Sequence, residues 1–79
     1  MSKVEAENDA WDFATERYGV SDPATYCRPQ GEKQADPRYD YHRWTCGWYE
    51  DGCGGAVLII GSHRPGRYYY RVLRGERCE

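Results

Sequence analysis

The side chains best suited to chemistry are four cysteines, two histidines and a file of carboxylates. Cys27, Cys46, Cys53 and Cys78 are separated by 18, 6 and 24 residues. Structural zinc sites are usually built on one or two CxxC pairs, and the chain has none. In the strand register derived below, Cys46 faces the core several rungs from Cys53, so those two reach neither one ion nor one disulfide. Small buried thiols are the expected state. Cys27, Cys53 and Cys78 remain as a zinc set if loop and tail fold back, which would make a zinc-stabilised domain. The even count also permits a disulfide framework, in three connectivities.

The other constellations point away from catalysis. His42 and Cys46 are four residues apart on a strand, ~13 Å, beyond the reach of a Cys–His dyad. Ser62 and His63 are adjacent and face opposite sides, so they cannot act as nucleophile and base. No GxGxxG, P-loop or HExxH occurs. Seventy-nine residues leave little room for a closed cleft, and the expectation is a protein with no enzymatic activity and no cofactor.

Binding chemistry is better represented. The formal charge is −2, but the first 36 residues hold eight acids against four bases, and the remainder holds seven arginines against five acids. Glu5, Asp9, Asp12 and Glu16, spaced by four, three and four, form an acidic stripe on one side of a helix. Such a stripe is commonly a solvated face, or a surface that meets a basic groove. Arg64 to Arg74 interleaves arginines with Tyr68, Tyr69 and Tyr70 and has no acid, the chemistry of a single-strand or RNA surface. Strand alternation splits that set, with Arg67, Tyr69 and Arg71 on one face and Arg74 with Tyr68 and Tyr70 on the other.

These residues need elements to hold them. Ser2-Lys3-Val4-Glu5 is a capping box, and the pattern is helical to Tyr18, with Gly19 placed to stop it. Val4, Ala10, Trp11, Ala14 and Tyr18 share the apolar side. Ser21-Asp22-Pro23 predicts a second short helical start ending near Cys27, and residues 28–38 read as an exposed loop. From there the period is two, and residues 40–74 form a three-stranded meander. Asp51-Gly52 is a type I′ hairpin signal and Pro65-Gly66 a tight turn.

Taking Asp51-Gly52 as a hairpin centre sets Trp44 opposite Ile59 and Cys46 opposite Val57. Taking Pro65-Gly66 as the next sets Ile59 opposite Val72 and Gly61 opposite Tyr70. Trp44, Cys46, Trp48, Val57, Ile59, Tyr70 and Val72 then share one face, which the helix covers. The other face shows Tyr41, Arg43, Leu58, Ile60, Tyr69, Arg71 and Leu73, with Arg43 and Arg71 flanking Ile60. Tyrosine, arginine and aliphatic groups together are the composition of binding hot spots.

The fold expected is a small single α+β domain, an N-terminal helix (2–18) packed on a three-stranded antiparallel meander. The polar N-terminus carries no signal peptide and no apolar run spans a membrane, so a cytoplasmic location with reduced thiols is expected. In size, acidity and plan the chain resembles small phage or mobile-element inhibitors, anti-CRISPR proteins among them. That resemblance implies a protein that binds and blocks a protein or nucleoprotein complex. Partner-binding residues would be Tyr41, Arg43, Ile60, Tyr69 and Arg71 with Glu5, Asp9, Asp12 and Glu16. The alternative, a nucleic-acid module, would use Arg64, Arg67, Tyr69, Arg71 and Arg74. A homodimer through the open face or the 67–74 edge is also natural.

Overall fold

Ser2 begins the first element of the computed structural model, which describes residues 1–31, 43–61 and 68–79. Its hydroxyl accepts from the Glu5 backbone N–H and donates to the Glu5 carboxylate, both at 3.2 Å. The helix α1 (Lys3–Tyr18) ends at Gly19, whose left-handed φ of 70° lets its N–H reach the Thr15 carbonyl. Four antiparallel strands follow: β1 (Ala24–Gln30), β2 (Arg43–Glu50), β3 (Cys53–Gly61) and β4 (Tyr68–Cys78). They form one sheet in sequence order.

The α+β class is as expected, but the sheet has a fourth strand where a helical start and a loop were foreseen. Ser21 and Asp22 do not cap a helix. The Ser21 N–H and hydroxyl and the Asp22 N–H all donate to the Glu50 carboxylate, at 2.8–2.9 Å. That clamp pins the start of β1 to the end of β2. Strand β1 then pairs along its whole length, from Ala24 opposite Tyr49 to Gln30 opposite Arg43. Pro29 is tolerated because β1 is an edge strand. Residues 28–30 of the foreseen loop therefore belong to the sheet, Gly31 follows with a positive φ of 83°, and residues 32–38 lie outside the described residues.

The β2–β3 register is the expected one, with Trp44 opposite Ile59 and Cys46 opposite Val57. Asp51 and Gly52 both take positive φ, 48° and 81°, as a type I′ turn requires. Between β3 and β4 the pairing is displaced by two residues: Ile59 faces Tyr70 and Gly61 faces Tyr68. An even displacement leaves every side chain on its expected face. Two irregularities, between Gly54 and Ala56 and between Ala56 and Val57, then shift the pairing back, so that Cys53 faces Cys78. The Pro65-Gly66 turn lies outside the described residues. Residues 75–78, read as a tail, continue β4.

The core lies between α1 and the inner face, where Trp44, Cys46, Trp48, Val57 and Ile59 are buried with Cys27 and Met1. The helix meets them with Ala6, Ala10 and Ala14, all fully buried. Val4 and Trp11, expected on that side, are not in the core. Val4 is 66% exposed, and the Trp11 indole N–H donates to Asp22 at 3.1 Å. Volume explains the change. The sheet already supplies two tryptophans, so the helix rests on its smallest side chains, close enough for Cys46 Sγ to lie 3.9 Å from the Ala6 carbonyl oxygen. An aromatic series, Trp48–Tyr18–Phe13–Tyr70, stacked at its two ends and edge-to-face between Tyr18 and Phe13, continues from the core to β4 with neighbouring ring centroids 5.1–6.1 Å apart. Tyr70 and Val72, expected in the core, remain 44% and 38% exposed, because α1 lies mainly over β1 and β2. Among the described residues no helix is long and apolar enough to cross a membrane.

Candidate binding face

The described residues of the outer face resolve into four rungs. Gln30, Arg43, Ile60 and Tyr69 make the first; Arg28, Thr45, Leu58 and Arg71 the second. Tyr26, Gly47, Ala56 and Arg74 make the third, and Ala24, Tyr49, Gly54 and Arg77 the fourth. None of these positions is acidic, and all five arginines are exposed. Arg43, Ile60, Tyr69 and Arg71 do come together, as the sequence indicated. Ile60, however, is flanked by Arg43 and Tyr69, while Arg71 stands beside Leu58. Tyr41, Arg64 and Arg67 lie outside the described residues, as do His42 and His63.

Arg74 is the main correction on this face. Regular alternation would turn it inward, away from Arg71. The two β4 irregularities instead place Arg71, Arg74 and Arg77 opposite Leu58, Ala56 and Gly54, three outward positions. Residues three apart thus share one face, the rephasing that bulges produce. Leu73, expected here, is left without a ladder partner between Arg74 and Val72, and is 48% exposed.

Two tyrosines not counted among the expected partner-binding residues, Tyr26 and Tyr49, complete the surface. A Cβ on Gly47 would meet Cζ, Cε2 and Oη of Tyr26 at nearly equal reach, so the Tyr26 ring lies face-on over the glycine. Tyr49 leans over Gly54, with Cδ2 3.5 Å from where a Cβ would stand. Glycine opposite an aromatic lets the ring lie down on the backbone. Tyr26 stays 59% and Tyr49 50% exposed. The signal was in the sequence: Tyr26 and Arg28 alternate with Thr25 and Cys27, a period of two inside the segment read as turn and loop.

The acidic stripe lies on the other side of the molecule. Glu5, Asp12 and Glu16 are exposed, but Asp9 is half-buried and its Oδ2 has no hydrogen-bond partner. Burial, and then the charges of Asp12 and Glu5, raise its pKa to about 6. Burial, and then the charges of Asp9 and Asp12, push the Tyr70 hydroxyl above its ordinary value. Asp12, Phe13, Glu16, Arg17 and Tyr70 line a shallow open recess there. The two expected groups of partner-binding residues are therefore separated by the thickness of the sheet, and one flat partner cannot touch both.

The cysteines are not free thiols. Cys27 is bonded to Cys46 and Cys53 to Cys78. Each pair sits directly across a strand boundary, which the missing fourth strand and the supposed tail had concealed. The zinc set Cys27, Cys53 and Cys78 does not assemble: Cys27 is held under the helix, and the other two are joined to each other. Glu76 comes within 4.8 Å of the Cys53 and Cys78 sulfurs, but a disulfide offers no thiolate to a metal.

No family model matches the chain, and neither the characterised proteins nor the solved structures include a significant match.

Proposed function

We propose that this chain is a non-enzymatic binding domain that holds a negatively charged macromolecular partner against its outer sheet face and blocks it by occupancy. The observation that supports this reading is the joint display of Arg28, Arg43, Arg71, Arg74 and Arg77 with Tyr26, Tyr49 and Tyr69 on one face, in a chain whose total charge is negative. Arginine pairs with carboxylate and phosphate through a planar fork. Tyrosine adds contact area at low entropic cost, and Leu58 and Ile60 supply an apolar centre. A flat surface of this kind acts by covering something, as an inhibitor does, and the phage or mobile-element type that the composition resembles fits that action. A cytoplasmic location carries one condition: both disulfides must persist in a reducing compartment.

The test is capture from the source cell with wild-type chain and with Arg43→Glu plus Arg71→Glu as baits. The double variant should lose the partner while its circular dichroism is unchanged. A variant with Glu5, Asp12 and Glu16 changed to Gln should keep it. Identical captured sets from wild type and the arginine variant would overturn the proposal.

A further inference from the structure

The outer face carries more than positive charge, and the extra feature narrows the chemistry of the partner. Its third and fourth rungs repeat one plan: a tyrosine on β1 or β2 set against a cross-strand glycine that it covers, and an arginine on β4. Tyr26, Gly47, Ala56 and Arg74 give one copy, and Tyr49, Gly54 and Arg77 the next. Rungs on the same face are two residues apart, ~7 Å. The Tyr26 ring lies against its glycine, the Tyr49 Cδ2 stands over Gly54, and both tyrosines stay largely exposed.

We propose that this strip of tyrosines and arginines is a binding site for single-stranded nucleic acid, with Tyr26 and Tyr49 stacking bases and Arg71, Arg74 and Arg77 holding the phosphates. The inference rests on the anionic-partner reading and specifies the partner's class. An acidic polypeptide would satisfy the arginines and leave the two tyrosine faces without a π partner. A duplex hides its base faces, and its major groove admits a helix or a two-stranded ribbon; a four-stranded sheet is too broad. A single strand offers unstacked bases and a phosphate beside each, the pairing that stacking platforms with cationic walls exploit.

The acidic helix does not oppose this at physiological salt. It lies across the sheet, ~10 Å or more from a strand bound on the outer face, and the Debye length at 0.15 M is ≈ 8 Å. Its repulsion is screened there and grows only when salt is removed.

The test uses the oxidised full chain and fluorescence anisotropy with four probes: 12-mer oligo(U), 12-mer oligo(dT), a 12-base-pair DNA duplex and a polyglutamate peptide. Both single strands should bind at least tenfold more tightly than the duplex or the peptide. A preference between oligo(U) and oligo(dT) would assign the strand as RNA or DNA. With three phosphate contacts the slope of log K against log salt should be about −2, and Arg74→Gln with Arg77→Gln should reduce it by about 1.4. Tyr26→Leu and Tyr49→Leu should each weaken single-strand binding by about fivefold to a hundredfold. Tyr26→Phe, which keeps the ring over Gly47, should bind as wild type does.

Equal binding of all four probes, or binding indifferent to both leucine variants, would overturn this inference and leave the anionic-partner reading in place. Absence of binding to every probe at low salt would remove both.

Discussion

Both faces of the sheet use the same local device, an aromatic ring laid over a cross-strand glycine, and they turn it to opposite ends. On the inner face Trp48 covers Gly55, and α1 closes over the ring, with Tyr18 stacked on it at 5.1 Å. Trp48 is left 1% exposed. On the outer face Tyr26 covers Gly47 with no described element above it. One ring has become core and the other a displayed surface. The difference lies in what stands above the ring rather than in the strand pairing beneath it. Stability and recognition are thereby assigned to opposite sides of one sheet, where substitutions in one need not disturb the other.

The sharpest way to break that division is to truncate the two rings. Trp48→Ala should cost ~3–5 kcal/mol. That is a large share of the ~4–12 kcal/mol expected for a chain this size, so urea denaturation at 25 °C should find its midpoint strongly lowered. Tyr26→Ala, on an exposed ring, should cost about 1 kcal/mol or less. Equal losses would mean that the outer ring is a core residue after all.

The disulfides extend the comparison. Chain entropy alone makes them nearly equivalent, because sequence separations of 19 and 25 residues each give about 3 kcal/mol. Burial separates them. Cys46 is fully buried and Cys27 nearly so, whereas Cys78 is exposed and Cys53 half-buried at the sheet's end. Replacing Cys27 and Cys46 by Ser adds the cost of burying hydroxyls, ~1–3 kcal/mol, and should exceed the loss from the Cys53/Cys78 pair. Under graded dithiothreitol, alkylation and mass spectrometry should find Cys53 and Cys78 labelled first. Simultaneous labelling would show that the helix does not shield the inner pair.

A smaller effect comes from filling the glycines. A Cβ on Gly55 meets the Trp48 Nε1 at 2.6 Å and the Arg74 carbonyl oxygen at 3.0 Å. Neither can move without opening the core, so Gly55→Ala should destabilise by ~1–3 kcal/mol. The three atoms nearest a Cβ on Gly47 all belong to the far end of the Tyr26 side chain, which can swing into solvent. Gly47→Ala should therefore leave thermal stability within about 0.5 kcal/mol while lifting the ring from its seat and weakening whatever binds there.

The legible parts of the molecule were those set by local periodicity and turn chemistry. Ser2 and Gly19 bound the helix, Asp51-Gly52 fixed the β2–β3 register, and alternation sorted Trp44, Cys46 and Ile59 from Arg43 and Ile60. What stayed hidden depended on contacts distant in sequence. Strand β1 has few apolar residues and contains Pro29; it exists because Glu50, 28 and 29 residues away, collects the N–H groups of Asp22 and Ser21. The alanine side of α1 was chosen by the bulk of Trp44 and Trp48, which helical periodicity does not contain. Arg74 faces outward because of two irregularities that only the far end of β4 reveals. Reduced thiols were expected from an argument about compartment, and that argument says nothing of which cysteines stand opposite each other.

The two perturbed carboxylates act through pH, and their opposite signs make them a test of the same division. Asp9 sits half-buried on the helix flank with its pKa raised from 3.8 to about 6. Between those values the folded protein binds more protons than the unfolded chain, so stability falls as pH rises from about 4 to 6. Glu50, at the solvent-exposed end of β2, is held below its ordinary value by the N–H of Asp22 and then by the Ser21 hydroxyl. Its contribution is present above pH 4.5 and is lost as pH falls through the folded value. Acidification from pH 7 should therefore first stabilise the fold, as Asp9 takes up a proton, and then destabilise it as the Glu50 clamp is neutralised. Melting temperature should pass through a maximum near pH 4, where the Asp9 gain is nearly complete and the Glu50 loss sets in. Asp9→Asn should remove the rise and raise the melting temperature at pH 7, while Glu50→Gln should remove much of the acid-side fall. A wild-type profile flat from pH 4 to 7, unchanged by Asp9→Asn, would show that the Asp9 carboxyl is solvated and that the helix flank is as open as the outer face.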